Sequence, residues 1–239
     1  MRQKLSSKIR ELYKELPENF TITHHTGALN KEMNSLESVK FSLKYGADII
    51  EVDVSFRPSL IPVIIHKNKP DENEGILFEE AVKIIAADSE CRMNLDLKSV
   101  VNLPEIDKII KKYNMVSRVF YTGVTEDWVP IVKEKSVISY YLIYKLKPVS
   151  YYNKGNSLAL AKKIKELGAI GLNTNFSNAG EILCSVMRNE GLLISLWTVN
   201  DIKEIKRVLL LNPDNITTKR PDNFESLCDP LNENTCFLF

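Results

Sequence analysis

The stretch GADIIEVDVSFRPSLIPVIIH, residues 46–66, places two acids, Glu51 and Asp53, two positions apart inside an apolar run, and closes the next apolar run on His66. Side chains alternate across a strand, so Glu51 and Asp53 share one face. A carboxylate in apolar surroundings is costly unless something pairs with it. The bland reading is a salt-bridged pair and a satisfied histidine. The alternative is a strand whose end opens into a cleft where a partner waits. What recurs along the rest of the chain decides between them.

Outward from this stretch, β-rich and helical patterns alternate. FTITHH reads as a strand, and NSLESVKFSLKYG as a helix that closes on Gly46. ADIIEVDVSF and IPVIIH are strand-like, and FEEAVKIIAA is helical. RMNLDLKS, SRVFYTG, SVISYYLIY, AIGLNT, LLISLWTV and PDNITTK continue as strands. Between them lie helical patterns such as EIDKIIKKY, SLALAKKIKELG, AGEILCSVMRNEG and DIKEIKRVLLL, together with EDWVPIVKE, a short helix broken at Pro130. Roughly eight βα repeats over about 200 residues predict an α/β fold, a single-domain (β/α)₈ TIM barrel. Near-continuous apolar strands fit a parallel sheet covered on both faces. A doubly wound open sheet is the competitor, but no GxGxxG or GxxxxGK[ST] follows the first strand. The expected organisation is an amphipathic helix in residues 1–19, ending near Pro17 and packed on or preceding the barrel, then the barrel over 20–224 and a tail over 225–239.

A formal net charge of +1 gives no global pull toward nucleic acid or anionic membrane. The N-terminal segment has charge but no continuous apolar core, so neither a signal peptide nor a membrane span is expected. Cys91, Cys184, Cys228 and Cys236 form no CxxC pair and no zinc spacing, which reads as buried or incidental thiols. A cytoplasmic protein without disulfides is the expectation.

In such a barrel the C-terminal strand ends build the site. His24 and His25 end the first strand, Glu51 and Asp53 lie late in the second, and His66 ends the run after it. Asp96 and Lys98 close RMNLDLK, and Trp197 and Asn200 close LLISLWTVN. Three carboxylates at one rim call for a cation. Oxygen-only ligands suit one hard divalent ion, Mg²⁺ or Ca²⁺. Lys98 would help neutralise them or bind an anion.

The ordered set resembles the glycerophosphodiester phosphodiesterases of the phospholipase-C-like phosphodiesterase superfamily, from about residue 20 to residue 223. That family joins Gly-Ala-Asp, Glu-x-Asp, a short hairpin and Pro-Val-x-x-His in one gapless block, here GADIIEVDVSFRPSLIPVIIH. Its Glu-x-Lys strand matches Asp96-Leu97-Lys98, and its late motifs match LWTVN and NITTKRPD. The resemblance implies a small-molecule phosphodiester substrate, a glycerophosphodiester or lysophospholipid-like diester, cleaved to a phosphomonoester and an alcohol. It implies that Glu51, Asp53 and Asp96 hold the metal and that His25 and His66 are general acid and base. Lys98, Trp197, Asn34 and Lys67 would form the substrate-binding set, Lys67 in place of a missing cation. Thr26 stands where the family has Arg, Met33 where it has Glu, Lys67 and Lys219 where it has Asp, and Asp96 where it has Glu. The first half is also similar to the menorin family, through HTGALNKEMN and NLDLKS, and the same His-to-Asn34 spacing selects His25 over His24. The departures keep a catalytically impaired barrel, or a menorin-like binding protein, as the alternative. A barrel isomerase or aldolase using Lys98 as a base or Schiff-base nucleophile is a further one. The alcohol is not specified; the loop carrying Tyr144, Tyr151 and Tyr152 would line the cleft or simply pack.

Overall fold

Eight of the strand-like runs close into a ring in the computed structural model, which describes residues 4–229. The elements in chain order are α1 (Leu5–Leu12), β1 (Thr21–His24), α2 (Leu36–Tyr45), β2 (Ile49–Phe56), β3 (Pro62–Ile64), β4 (Ile76–Leu77) and α3 (Phe78–Ala86). Then come β5 (Arg92–Leu97), α4 (Leu103–Lys112), β6 (Val119–Val124), α5 (Val129–Lys135), β7 (Tyr140–Ile143), α6 (Lys154–Leu167) and β8 (Gly171–Asn175). The chain continues through α7 (Glu181–Asn189), β9 (Leu193–Trp197), α8 (Ile202–Leu209), β10 (Asn215–Thr218) and α9 (Pro221–Leu227). The order β1-β10-β9-β8-β7-β6-β5-β2 is parallel throughout, and β1 also pairs with β2, which closes the barrel.

IPVIIH does not enter the ring. β2 is long enough for its last residues, Val54 to Phe56, to pair antiparallel with Ile64 to Pro62, and β4 adds to that hairpin. Two further expectations shift. α1 ends a turn before the expected stop, with Tyr13 already out of the helical region at φ −113° and ψ 82°. Pro130 does not break α5 but sits in its first turn, where its missing N–H leaves no bond unmade. α9 runs through residue 225, and residues 230–239, with Cys236, lie outside the described residues. Cys91 and Cys184 are buried free thiols whose pKa values burial pushes up to about 12, too high for thiolate chemistry. No helix among the described residues is long and apolar enough to cross a membrane.

The strands have two unlike faces. Outward residues such as Ile50, Val52, Val54, Met93, Leu95 and Leu97 join the large core beneath the helices. Inward, Ile49, Phe120 and Tyr141 form a small separate apolar floor. Above it the barrel interior is polar. Thr23 donates to Asn215 Oδ1 at 2.7 Å, Asn215 donates to Ser195 at 2.9 Å, and Thr122 donates to Asn94 Oδ1 at 2.8 Å. A polar interior, floored on one side and opening on the other, is what lets Glu51 and Asp53 occupy alternate positions of an apolar strand.

His24 lies on the outward face, 3% exposed and 5.7 Å from the Tyr45 ring, with no hydrogen-bond partner for Nδ1 among the described residues. Burial lowers its pKa to about 4 from 6.5. Because the folded pKa is below the unfolded one, the unfolded chain takes up the proton first, and stability falls as pH drops from 6.5 toward 4. From pH 7 to pH 5 this one group should remove about 2 kcal/mol. Urea denaturation of wild type and His24→Phe at both pH values tests it: the variant should lose that part of the pH dependence, and an identical slope in both proteins would contradict the assignment.

Candidate functional site

The β2–β5 register sets Asp53 beside Asp96 and Glu51 beside Asn94. One oxygen each from Glu51, Asp53 and Asp96 lies within 4.8 Å of the others. Asp53 is the hub. Its Oδ2 accepts from Asn34 Nδ2 at 2.8 Å and from His66 Nδ1 at 3.1 Å, while its Oδ1 pairs with Lys98 Nζ at 3.0 Å. Asn34 also accepts the Asp53 backbone N–H on its Oδ1 at 3.0 Å, so its amide grips both the carboxylate and the main chain of Asp53. Asn34 reaches this position from the loop after β1 with a φ of +54°, a region asparagine tolerates. Thr26, buried beneath the same loop, accepts the Asn34 N–H on its hydroxyl. The position read as a lost arginine is therefore a fastening for Asn34.

Asp96 accepts from Thr122 at 3.1 Å and from Lys98. Its neighbour Gly123 has a φ of +74°, and a Cβ there would stand 2.7 Å from Asp96 Oδ1 and 2.6 Å from the Leu97 carbonyl oxygen. The β6–β7 register slips at this point, a bulge that makes room for the carboxylate. His25 stands on the inward side, opposite in sense to His24. Its Nδ1 lies 2.8 Å from the Thr26 carbonyl oxygen, and its Nε2 lies 3.5 Å from Glu51 Oε1.

The charges are unevenly balanced. Burial, then Asp96 and Asp53, push the Glu51 carboxyl well above its usual range. For Asp53 burial works in the same direction, but Lys98, the Asn34 amide and His66 outweigh it and hold the carboxyl below its usual range. Lys98 is disfavoured by burial, yet Asp96 and Asp53 outweigh that and keep it an ammonium. An amine held protonated is a poor Schiff-base nucleophile, which argues against the aldolase alternative. Burial lowers the His25 pKa, with Lys219 adding to the effect and the Thr26 carbonyl and the acids opposing it.

The structure thus gathers Glu51, Asp53, Asp96, Lys98, His25, His66 and Asn34 at the C-terminal mouth of the barrel. Trp197 ends β9 in register with Asn175, partly buried, its indole N–H without an acceptor among the described residues. Lys67 goes elsewhere: its ammonium is held by Glu74 at 2.5 Å and Asp71 at 3.4 Å on its own exposed loop. Tyr152 is buried and accepts the Lys147 N–H, whereas Tyr151 is exposed. Sequence reading did not single out Asn94, Thr122 and Gly123; their inward parity one strand over from Asp53 and Asp96 was the available signal. Lys219, noted only as a departure, lies with its Nζ 3.6 Å from Met33 Sδ, so two departures from the family pattern touch.

No protein-family model matches the sequence, and no curated protein matches it. Solved structures do share its fold. A candidate glycerophosphoryl diester phosphodiesterase from Silicibacter pomeroyi superposes with a TM-score of 0.74 at 15% identity, covering 87% of this chain and 93% of that one. A glycerophosphodiester phosphodiesterase from Thermotoga maritima gives 0.67 at 16% identity, over 87% of this chain and 98% of that one. An Oleispira antarctica phosphodiesterase, solved in complex with the product sn-glycerol-3-phosphate, gives 0.67 at 17% identity, over 90% and 97%. At such identities the likeness establishes the barrel; these structures say nothing for the menorin similarity.

Proposed function

We propose that this barrel is a divalent-metal-dependent phosphodiesterase that hydrolyses a glycerophosphodiester, or a lysophospholipid-like diester, to a phosphomonoester and an alcohol. The observation that carries it is the convergence of Glu51, Asp53 and Asp96 with His25 and His66 at the mouth of a barrel shared with phosphodiesterases. The donor set fits a hard divalent cation. It is all oxygen, it is largely buried, and Lys98 is the cation paired directly with it. Burial first, and then the neighbouring Asp96 and Asp53 carboxylates, raise the Glu51 pKa, so a cation there would offset both. Glu51, Asp53 and Asp96 would hold Mg²⁺ or Ca²⁺. Such an ion supplies electrophilic charge to the phosphoryl group and acidity to an attacking hydroxyl.

The protein's own groups set the proton transfers. The Thr26 carbonyl can only accept, so it fixes the His25 proton on Nδ1 and leaves Nε2 a free base. Burial keeps that ring neutral, which suits proton removal from the nucleophile. Asp53, an ionised acceptor, takes the His66 Nδ1–H and orients the exposed ring, so that in its imidazolium form the Nε2–H is the proton passed to the departing alkoxide, leaving the ring neutral. Lys98 and Asn34 hold Asp53 in place between these tasks.

The test is release of free alcohol from glycerophosphocholine and glycerophosphoethanolamine, with Mg²⁺, with Ca²⁺ and with EDTA. Turnover should require the cation, and His25→Ala and His66→Ala should each lower it by about 10²- to 10⁴-fold. Absence of turnover on these and on lysophospholipids, in protein that still binds the cation, would move the assignment to a phosphate-binding barrel.

A further inference from the structure

The β1–β10 register pairs His24 with Thr218, so the next residues on the two strands, His25 and Lys219, stand side by side. Both carry the inward parity of Thr23 and Thr217. The Lys219 backbone is fixed on both sides: its N–H donates to Asn200 Oδ1 at 2.8 Å, and its carbonyl accepts the Leu29 N–H at 2.9 Å. Its ammonium meets only the Met33 thioether, a weak acceptor, and forms no ion pair with a carboxylate among the described residues.

The neighbouring cations differ. Lys98 is neutralised by Asp53 and Asp96, Lys67 by Glu74 and Asp71, and Arg220 by Asp222. An ammonium carried by the residue in register with the proposed base, anchored by its backbone and without a counter-anion among the described residues, is matched to an anionic ligand. Resting on the phosphodiesterase reading, we propose that Lys219 is the substrate-binding cation of this site, its ammonium taking a non-bridging oxygen of the phosphoryl group from the β10 rim.

Calorimetric titration of the full chain with sn-glycerol 3-phosphate tests this in wild type, Lys219→Met, Lys219→Gln and Lys219→Arg. Removing the charge should weaken binding about 10- to 100-fold, with Arg restoring most of it. On glycerophosphocholine, KM should rise more than kcat falls, because the contact exists in ground and transition states alike. The rise in melting temperature with Mg²⁺ should be the same in all four proteins, showing the acid cluster intact. Turnover with phosphate-ester binding unchanged in Met and Gln variants overturns the Lys219 assignment and leaves the phosphodiesterase reading standing. Lys219-dependent binding without turnover of any diester keeps the assignment and removes the catalytic reading. Wild type that neither binds the ester nor turns over diesters overturns both.

Discussion

Asp53→Asn is expected to lower kcat/KM on a glycerophosphodiester by at least about 10³-fold. No other side chain in the site has as many partners in the mechanism. It contributes an oxygen to the carboxylate cluster, accepts from His66, pairs with Lys98 and is gripped by Asn34. An amide in its place removes one negative charge from the carboxylate set and turns its NH₂ group either on Asn34 Nδ2 and His66 Nδ1 or on the Lys98 ammonium. His66 then loses the charged acceptor that orients its ring. The companion readout is thermal. A cation at 100 times its Kd stabilises a protein by about 2.7 kcal/mol, visible in wild type as a raised melting temperature. In Asp53→Asn most of that rise should vanish. A variant keeping turnover within tenfold of wild type, or the full cation response, would show that Asp53 is not the hub.

Gly123→Ala should have the largest effect on stability and should blunt the same cation response. The residue adopts a φ of +74°, where an alanine is strained by roughly 1–2 kcal/mol. The added methyl would also stand 2.6 Å from the Leu97 carbonyl oxygen and 2.7 Å from Asp96 Oδ1. One of these is backbone in a barrel strand and cannot move without disturbing the β5–β6 pairing; the other is a proposed metal ligand. A total cost of about 3 kcal/mol or more is expected from strain plus overpacking. Chemical denaturation with and without Mg²⁺ measures both parts. Gly123→Ala with wild-type stability would mean the bulge relaxes freely, and the account of how Asp96 is seated would be wrong.

Much of this site was legible from the chain because it is local. Glu51 and Asp53 sit on one strand at a spacing of two, and so do Asp96 and Lys98, so each pair must share a face whatever the tertiary structure. The apolar residues between them have to point the other way, into the helix layer, as Val52 and Leu97 do. Strand ends could be placed by the same alternation, which put the histidines, acids and Trp197 at one end of a barrel. The misjudgements share a cause as well. Its place next to His66 in the chain suggests Lys67 as a site cation, but an ammonium goes to the nearest carboxylate, and Glu74 is on the same loop. Thr26 looked like a deletion of function because its hydroxyl's partner is eight residues away around a turn.

Strand alternation and the number and length of the βα repeats thus favoured a parallel barrel over an open sheet and placed ionisable groups at one rim, because those properties follow from the period of a strand and the length of a repeat. Register decided the rest. Which carboxylate stands beside which, that His25 turns inward and His24 outward, that Gly123 leaves space for Asp96, and that Lys219 arrives next to His25 all depend on how eight strands are staggered around a closed ring. Stagger is fixed by the packing of the whole barrel, with its helix layer, polar interior and apolar floor, and no short stretch of sequence encodes it.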